Sequence, residues 1–365
     1  MLKYLLILSF MISTTFSQTE MFDEIGVKYY LDQNTSLNSF RENLRQIKEY
    51  RISILFVNPV KGDSAYYNSL LLNISQKINL ENEQNNILEN LLDLGLIMPI
   101  FLEQNENYKS ILAVNKNGER ADRTWQKMIC PSNSEYKSQK LKLIKESTEK
   151  LHPKYLLLDF IRFPVHWEEI DVTKSDYNFE EFCFCTNCIN RFKIYLKENS
   201  KEFNDSDSFS ILTNKFQTDW YKWRSSLISD FVKNVREIVD PNIQIIINTI
   251  PWTAEFADNS LYKITGQDLS QLAQYSNFLS PMIYNKKINA DDQFILEIIK
   301  DQGEFQNLFP AFQAGKVTSE QYKKEDLESV FKLAKSMLIK KIILFDFNRL
   351  KENYTSTEFM RITSE

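Results

Sequence analysis

The sequence has 365 residues, of which 43% are hydrophobic and 25% are charged. This is ordinary globular composition, and the length allows one large domain or two smaller ones. The net charge of -5 and the lack of a dense basic tract argue against a nucleic-acid-binding protein. We therefore expect no nucleic acid among the partners.

The N-terminal segment has the pattern of a secretory signal peptide. Lys3 gives it a positive charge, an apolar run covers residues 5–12, and Thr15 and Ser17 are small residues at the offset of a cleavage site. The apolar run is short for a membrane span of about 20 residues. We predict a signal peptide over residues 1–17, with an uncleaved anchor as the alternative. The mature protein is then expected to be secreted or periplasmic, without a membrane span.

The rest of the chain alternates short apolar runs with longer amphipathic stretches, which is typical of βα units in a parallel sheet. Predicted strands cover residues 26–30, 52–59, 94–102, 154–164, 243–252, 277–285, 308–315 and 342–348, and predicted helices include 39–50, 85–94, 136–151 and 220–239. Eight strands are the number that closes a (β/α)8 TIM barrel. An open doubly wound α/β sheet is the alternative, but neither GxGxxG nor GxxxxGK[ST] follows the first strand.

A single domain is predicted, because no linker and no repeat period divides the chain. We assign the barrel to residues 24–350 and a C-terminal tail to residues 351–365. The widest gap between predicted strands follows the fourth one and contains a further helical pattern at residues 189–198. We interpret residues 165–215 of this gap as an insertion into the barrel.

The four cysteines could form disulfides, bind a metal ion or remain free thiols. Cys183, Cys185 and Cys188 form a CxCxxC motif, and Cys130 lies far from them in the sequence. In an exported protein an even number of cysteines predicts disulfides, and the pairing stays open. A four-thiolate zinc site is the alternative, since the ligand count is right. Our prediction is disulfides, with no metal and no cofactor.

The fourth predicted strand carries the main candidate for catalysis. In a (β/α)8 barrel the active site lies at the C-terminal ends of the strands. Asp159 follows three leucines, so we expect its side chain to point into the barrel mouth, where Arg162 would pair with it and keep it ionised. A purely structural ion pair between Asp159 and Arg162 is the alternative interpretation.

The ends of the predicted strands together supply carboxylates, amides and aromatic rings. This mixture suits sugars, because rings stack on sugar faces while amides and carboxylates bind hydroxyl groups. Glycoside hydrolysis needs a second carboxyl group besides Asp159. The candidates are Asp346, Glu255, Glu168 and Glu103, with Asp346 first because it also ends a strand, and our predicted catalytic set is Asp159, Asp346 and Glu255. The residues predicted to bind substrate are Arg162, Trp125, His166, Trp167, Asn248, Trp252, Tyr284 and Gln313.

These motifs, in this order, resemble bacterial glycoside-hydrolase-like (β/α)8 barrel families. The resemblance rests mainly on LDFIRFP at residues 158–164 and SPMIY at residues 280–284, and it runs over most of the chain from Gly26 to Asn348. It implies a secreted, carbohydrate-active barrel with Asp159 as the catalytic carboxylate. It also implies that Arg162, Trp252 and Tyr284 line the pocket.

One feature departs from the related barrels, in which the acid/base residue often lies on the sixth strand. Here that strand ends in Tyr284 and Asn285, without a carboxylate. The sequence therefore predicts a secreted glycoside hydrolase that acts on an oligosaccharide or polysaccharide and takes its acid from a loop. The alternative is a non-catalytic carbohydrate-binding barrel that lacks the second carboxylate.

Overall fold

The computed structural model describes residues 22–123 and 125–364. The predicted signal peptide at residues 1–17 lies outside the described residues. Eight parallel strands form a closed barrel: β1 (Glu24–Tyr29), β2 (Ile54–Val57), β3 (Asp93–Pro99), β4 (Tyr155–Asp159), β5 (Gln244–Thr249), β6 (Phe278–Ile283), β7 (Ala311–Gln313) and β8 (Lys341–Phe345). Each strand pairs with the next in the chain, and β8 pairs with β1. The predicted (β/α)8 barrel is confirmed.

Helices surround the barrel and connect its strands. They are α1 (Leu37–Glu49), α2 (Leu80–Glu89), α3 (Ser134–Leu151), α4 (Thr186–Glu198), α5 (Phe209–Lys215), α6 (Gln217–Ile238), α7 (Ser260–Lys263), α8 (Leu269–Ala273), α9 (Asp292–Gly303), α10 (Lys324–Ser336), α11 (Phe347–Asn353) and α12 (Ser356–Ser364). The segment predicted as an insertion contains α4 and α5, and the predicted C-terminal tail contains α12, where Phe359 is buried. Within the part of the chain that the structure describes, no helix is long and apolar enough to cross a membrane.

The second predicted helix is displaced in the structure. It was expected over residues 85–94, but α2 begins five residues earlier, after Asn79, whose side chain accepts a hydrogen bond from the Glu81 N–H. It ends at Glu89, and Leu91 then has a φ of 59°, in the left-handed region. A left-handed residue stops a helix and turns the chain, here into β3.

The interior of the barrel is organised around Phe56 on β2. A Cβ atom on Gly26 of β1 would lie 2.5 Å from the Phe56 ring, and one on Gly95 of β3 would lie 2.4 Å from it. Such distances are far inside van der Waals contact, so both neighbouring strands need glycine for the ring to fit. The ring also packs near Tyr155 and Phe309, with centroids 5.9 and 6.1 Å away.

The N-terminal end of the barrel is closed by a network of charges around Glu24. Its carboxylate accepts hydrogen bonds from the Lys154 Nζ and the Tyr155 hydroxyl, each at 2.8 Å, and from Lys341. Burial alone would raise the pKa of Glu24, but these three hydrogen bonds outweigh it and lower the pKa to about 2. Glu24 therefore joins the starts of β1, β4 and β8.

Candidate active site

Asp159 ends β4 and lines a cavity of about 880 Å³ at the C-terminal end of the barrel. The strand was predicted to continue to residue 164, but Phe160 has a φ of 49° and turns the chain away from the sheet. Asp159 is 8% exposed, and its Oδ1 accepts a hydrogen bond from the Phe160 N–H at 2.9 Å. The cavity has the size of a small-molecule site and lies where barrel enzymes carry their chemistry.

Arg162 also lines the cavity, but its hydrogen bonds differ from the prediction. The guanidinium donates to the carbonyl groups of Phe163 and Val165, at 3.2 and 3.1 Å, and it lies 5.2 Å from the centroid of the Phe160 ring. The backbone turn after β4 thus binds Arg162, and the predicted ion pair with Asp159 is not formed. Its charge still acts on Asp159 and Glu168 through space.

Glu168 is a second carboxyl group that lines the cavity together with Asp159. It lies in a short 3-10 turn, Trp167–Glu169, and its Oε2 is buried without a hydrogen-bond partner. The pKa of Glu168 is raised to about 7, mainly by burial and also by the charge of Asp159, against the lowering effect of Arg162 and Lys287. A carboxyl group with this pKa is largely protonated just below neutral pH and can donate a proton.

The other carboxylates of the cavity are occupied by structural contacts. Asp346, our first choice as the second catalytic group, caps α11 by accepting a hydrogen bond from the Arg349 N–H, and it pairs with the guanidinium of the same residue. Glu103 accepts two backbone N–H bonds and lies 3.9 Å from the Nζ of Lys140. Asp63 bonds to neighbouring side chains at the rim. Glu168 is thus the member of this set best suited to be an acid.

Aromatic rings form one wall of the cavity. Tyr284 stacks on Phe345 with centroids 4.8 Å apart, and Trp167 lies 5.5 Å from Tyr284 on the other side. Tyr30 extends this row, with its ring 6.1 Å from that of Phe345. Trp125 lines the opening and is 53% exposed. Trp167 and Tyr284 are buried, so the accessible ring surface on which a sugar can stack comes mainly from Tyr30, which is 37% exposed, and Trp125.

Two predicted site residues lie away from the cavity lining. Glu255, a member of the predicted catalytic set, is exposed in the loop after β5 and does not line the cavity that contains Asp159. His166 precedes the turn that carries Glu168 but does not line the cavity. Burial lowers the pKa of His166 to about 4, with a contribution from Arg123, so the imidazole is neutral at neutral pH.

Three further residues predicted to bind substrate are buried and lie away from the cavity. Trp252 is buried among aromatic side chains, with the Phe179 ring 4.9 Å away. The side-chain oxygen of Gln313 accepts from the N–H groups of residues 286 and 287 and so fixes the loop after β6. Asn248 is 1% exposed in β5, and neither of its side-chain polar atoms has a hydrogen-bond partner. None of the three lines the cavity.

Lys28, next to the C-terminal end of β1, is fully buried and was not among the predicted site residues. Burial lowers the pKa of Lys28, whereas the charges of Asp159 and Asp346 raise it. Its Nζ lies 5.7 Å from the centroid of the Phe345 ring, within cation–π range. The sequence pattern could have indicated Lys28, because a lysine inside an apolar strand run needs a negative or aromatic partner.

The sequence matches no protein-family profile and no curated protein. Solved structures do match the fold. The glycoside hydrolase domain of PgaB (BpsB) from Bordetella bronchiseptica has a TM-score of 0.71 at 12% identity, over 94% of this chain and 99% of that one. The chain shares its barrel with a glycoside hydrolase domain.

Two more structures support the same fold. The catalytic domain of the beta-amylase from Paenibacillus polymyxa has a TM-score of 0.62 at 12% identity, over 91% of this chain and 94% of that one. The beta-galactosidase from Bacillus circulans sp. alkalophilus has a TM-score of 0.65 at 13% identity, over 94% of this chain and 55% of the longer enzyme. At these identities the likeness defines the architecture, and the chemistry has to be argued from the site.

Proposed function

We propose that the protein is a glycoside hydrolase that cleaves an oligosaccharide or polysaccharide in the cavity at the C-terminal end of the barrel. The observation that carries this proposal is that Asp159 and Glu168 line one cavity in opposite electrostatic surroundings. Asp159 lies near the positive charges of Lys28 and Arg162, whereas Glu168 is partly buried and its Oε2 has no hydrogen-bond partner among the described residues. Glycoside hydrolysis uses two carboxyl groups in different roles, one as the proton donor and one facing the reacting carbon.

In this mechanism Glu168 is the general acid. With a pKa of about 7, a large fraction of Glu168 is protonated at and below neutral pH, and this form transfers its proton to the oxygen of the leaving sugar. Asp159 is the carboxylate that faces the positive charge developing at the anomeric carbon. After the bond has broken, Glu168 is ionised and can accept a proton from the water that completes the hydrolysis.

The walls of the cavity fit a carbohydrate. Tyr30 and Trp125 offer exposed rings on which a sugar can stack, and Trp167, Tyr284 and Phe345 add apolar aromatic wall to the cavity. The structures with the same fold include enzymes whose names specify glycoside hydrolase, amylase and galactosidase activity, which supports a glycan as the substrate class. We also propose export, from the N-terminal sequence pattern; N-terminal sequencing of the exported protein should then begin at Gln18.

A screen of purified protein against a panel of oligosaccharides and polysaccharides, with released reducing ends as the readout, tests this function. On the glycan that is cleaved, Asp159→Asn should lower kcat by about 10³-fold or more while the melting temperature stays near that of the wild type. Glu169→Gln is the matched control, because Glu169 is exposed and pairs with Arg123; it should keep its activity.

One result would count against the role of Asp159, and another would count against hydrolysis itself. Full activity of Asp159→Asn would remove this residue from the catalytic machinery. A glycan that binds but is never cleaved by the wild-type protein would replace hydrolysis with the carbohydrate-binding alternative.

A further inference from the structure

The four cysteines meet at one point outside the cavity. Cys130 lies just before α3, Cys183 and Cys185 precede α4, and Cys188 lies in its first turn. All four are free, and their Sγ atoms lie within 4.8 Å of one another. Three of the side chains are fully buried and that of Cys185 is partly buried. None of them lines the cavity that contains Asp159.

This arrangement favours a metal over the disulfides that we expected from the sequence. A disulfide joins sulfur atoms two by two at about 2.0 Å and does not require the two pairs to converge. A tetrahedral zinc ion with Zn–S bonds of 2.3 Å holds all its sulfur ligands about 3.8 Å apart. Cys130 lies 3.3 Å from Cys188 and 3.7 Å from Cys185, between sulfur atoms, which is close to that spacing.

The surroundings suit an anionic thiolate centre. Four thiolates around Zn2+ carry a net charge of −2, which needs hydrogen-bond donors and positive groups nearby. The Val114 N–H donates to the Cys183 Sγ at 3.3 Å, and the Ser132 hydroxyl lies 3.1 Å from the sulfur atoms of both Cys130 and Cys188. These donors point at the sulfur atoms from the loop before α3 and from the neighbouring loop.

Positive charge approaches the cluster from two sides. Arg224 is fully buried and donates to the carbonyl of Phe182, the residue before Cys183. Arg191 donates to the carbonyl of Ser132 at 3.1 Å. The N-terminus of α4 adds the positive end of a helix dipole, because Cys185 is its N-cap residue and forms no side-chain capping bond there.

We propose that Cys130, Cys183, Cys185 and Cys188 bind one Zn2+ in a closed structural site. Binding replaces four S–H bonds with four Zn–S bonds and releases the four protons, without any change of oxidation state. All four ligand positions belong to the protein, so the ion has no open position for catalysis. The ion ties the segment before α3, which follows the Trp125 loop, to the start of α4, which follows the Glu168 loop.

Metal analysis of the purified full-length protein tests the proposal directly. The wild-type protein should contain one zinc per chain, and its denatured form, stripped of metal, should show four reactive thiols and the mass of the fully reduced chain. Replacing zinc with Co2+ should give the charge-transfer and d–d absorption of tetrahedral cobalt with thiolate ligands. Cys188→Ser should lose the zinc, whereas Ser132→Ala should keep one equivalent, because Ser132 contacts the sulfur atoms without supplying one.

Absence of zinc together with a mass four hydrogens below the reduced value would overturn the proposal in favour of two disulfides. Absence of zinc with four free thiols, even after incubation with Zn2+, would overturn it as well. The wild-type measurements do not depend on whether Cys188→Ser folds. They are also independent of any glycosidase activity, so failure of one proposal leaves the other standing.

Discussion

Glu24 and Glu168 lie at opposite ends of the barrel and have opposite surroundings. At the N-terminal end, Glu24 accepts hydrogen bonds from two lysines and a tyrosine, and its pKa falls to about 2. At the C-terminal end, Glu168 has a buried oxygen without a partner, and its pKa rises to about 7. Ionisation of Glu24 therefore stabilises the fold at the N-terminal end, whereas ionisation of Glu168 destabilises it at the C-terminal end. This matches the division of barrel proteins into a stabilising and a catalytic face.

The largest expected effect comes from removing Glu168, the proposed acid at the C-terminal end of the barrel. Glu168→Gln should lower kcat on an unactivated glycan by about 10²- to 10⁴-fold, because the leaving oxygen loses its proton donor. An aryl glycoside with a good leaving group needs little protonation and should lose much less. In the wild type, activity should fall as the pH rises through about 7, because Glu168 loses its proton. The residual activity of the variant should not show this fall. Kinetics against pH with both substrates would show this, and equal losses on both would argue against an acid role.

The same substitution should stabilise the fold at alkaline pH. The raised pKa of Glu168 makes ionisation unfavourable in the folded state, so the cost is absent below the unfolded pKa near 4.5 and complete above about 7. Glu168→Gln removes that cost and should gain on the order of 2 kcal/mol at pH 8 and almost nothing at pH 4. Urea unfolding at the two pH values measures the difference. A variant that is less stable than the wild type at pH 8 would contradict the claim that ionised Glu168 destabilises the folded state.

A smaller effect of opposite sign is expected at the other end. Glu24→Gln should cost about 1–2 kcal/mol of unfolding free energy at pH 7, a figure reduced for the partial exposure of the network. The lowered pKa means that the contribution of Glu24 is present above pH 4.5 and disappears as the pH falls to about 2. Asp93→Asn is the matched control, because Asp93 accepts from the same Lys154 but is 43% exposed. Equal losses for both variants would mean that the network around Glu24 adds nothing beyond a surface ion pair.

The sequence was sufficient to predict the barrel and the position of Asp159 at the end of the fourth strand, but not the surroundings of Glu168. Runs such as Leu156 to Leu158 report burial directly, so the eight strands and their order could be predicted. The burial of Glu168 depends on how the turn after β4 packs against β6, which no local pattern encodes. The partner of Arg162 was missed for a related reason, since backbone carbonyl groups 163 and 165 become acceptors only after the chain has turned at Phe160.

The packing of Phe56 has a consequence for how this barrel can change over evolutionary time. Its ring takes the space of a side chain on both neighbouring strands, at Gly26 and at Gly95. An alanine at either glycine is incompatible with the ring, and a shorter residue at position 56 alone leaves a void that lowers stability. The three positions, distant in the chain, are therefore expected to vary together among relatives, so that a barrel lacking the phenylalanine carries larger residues at one or both glycine positions.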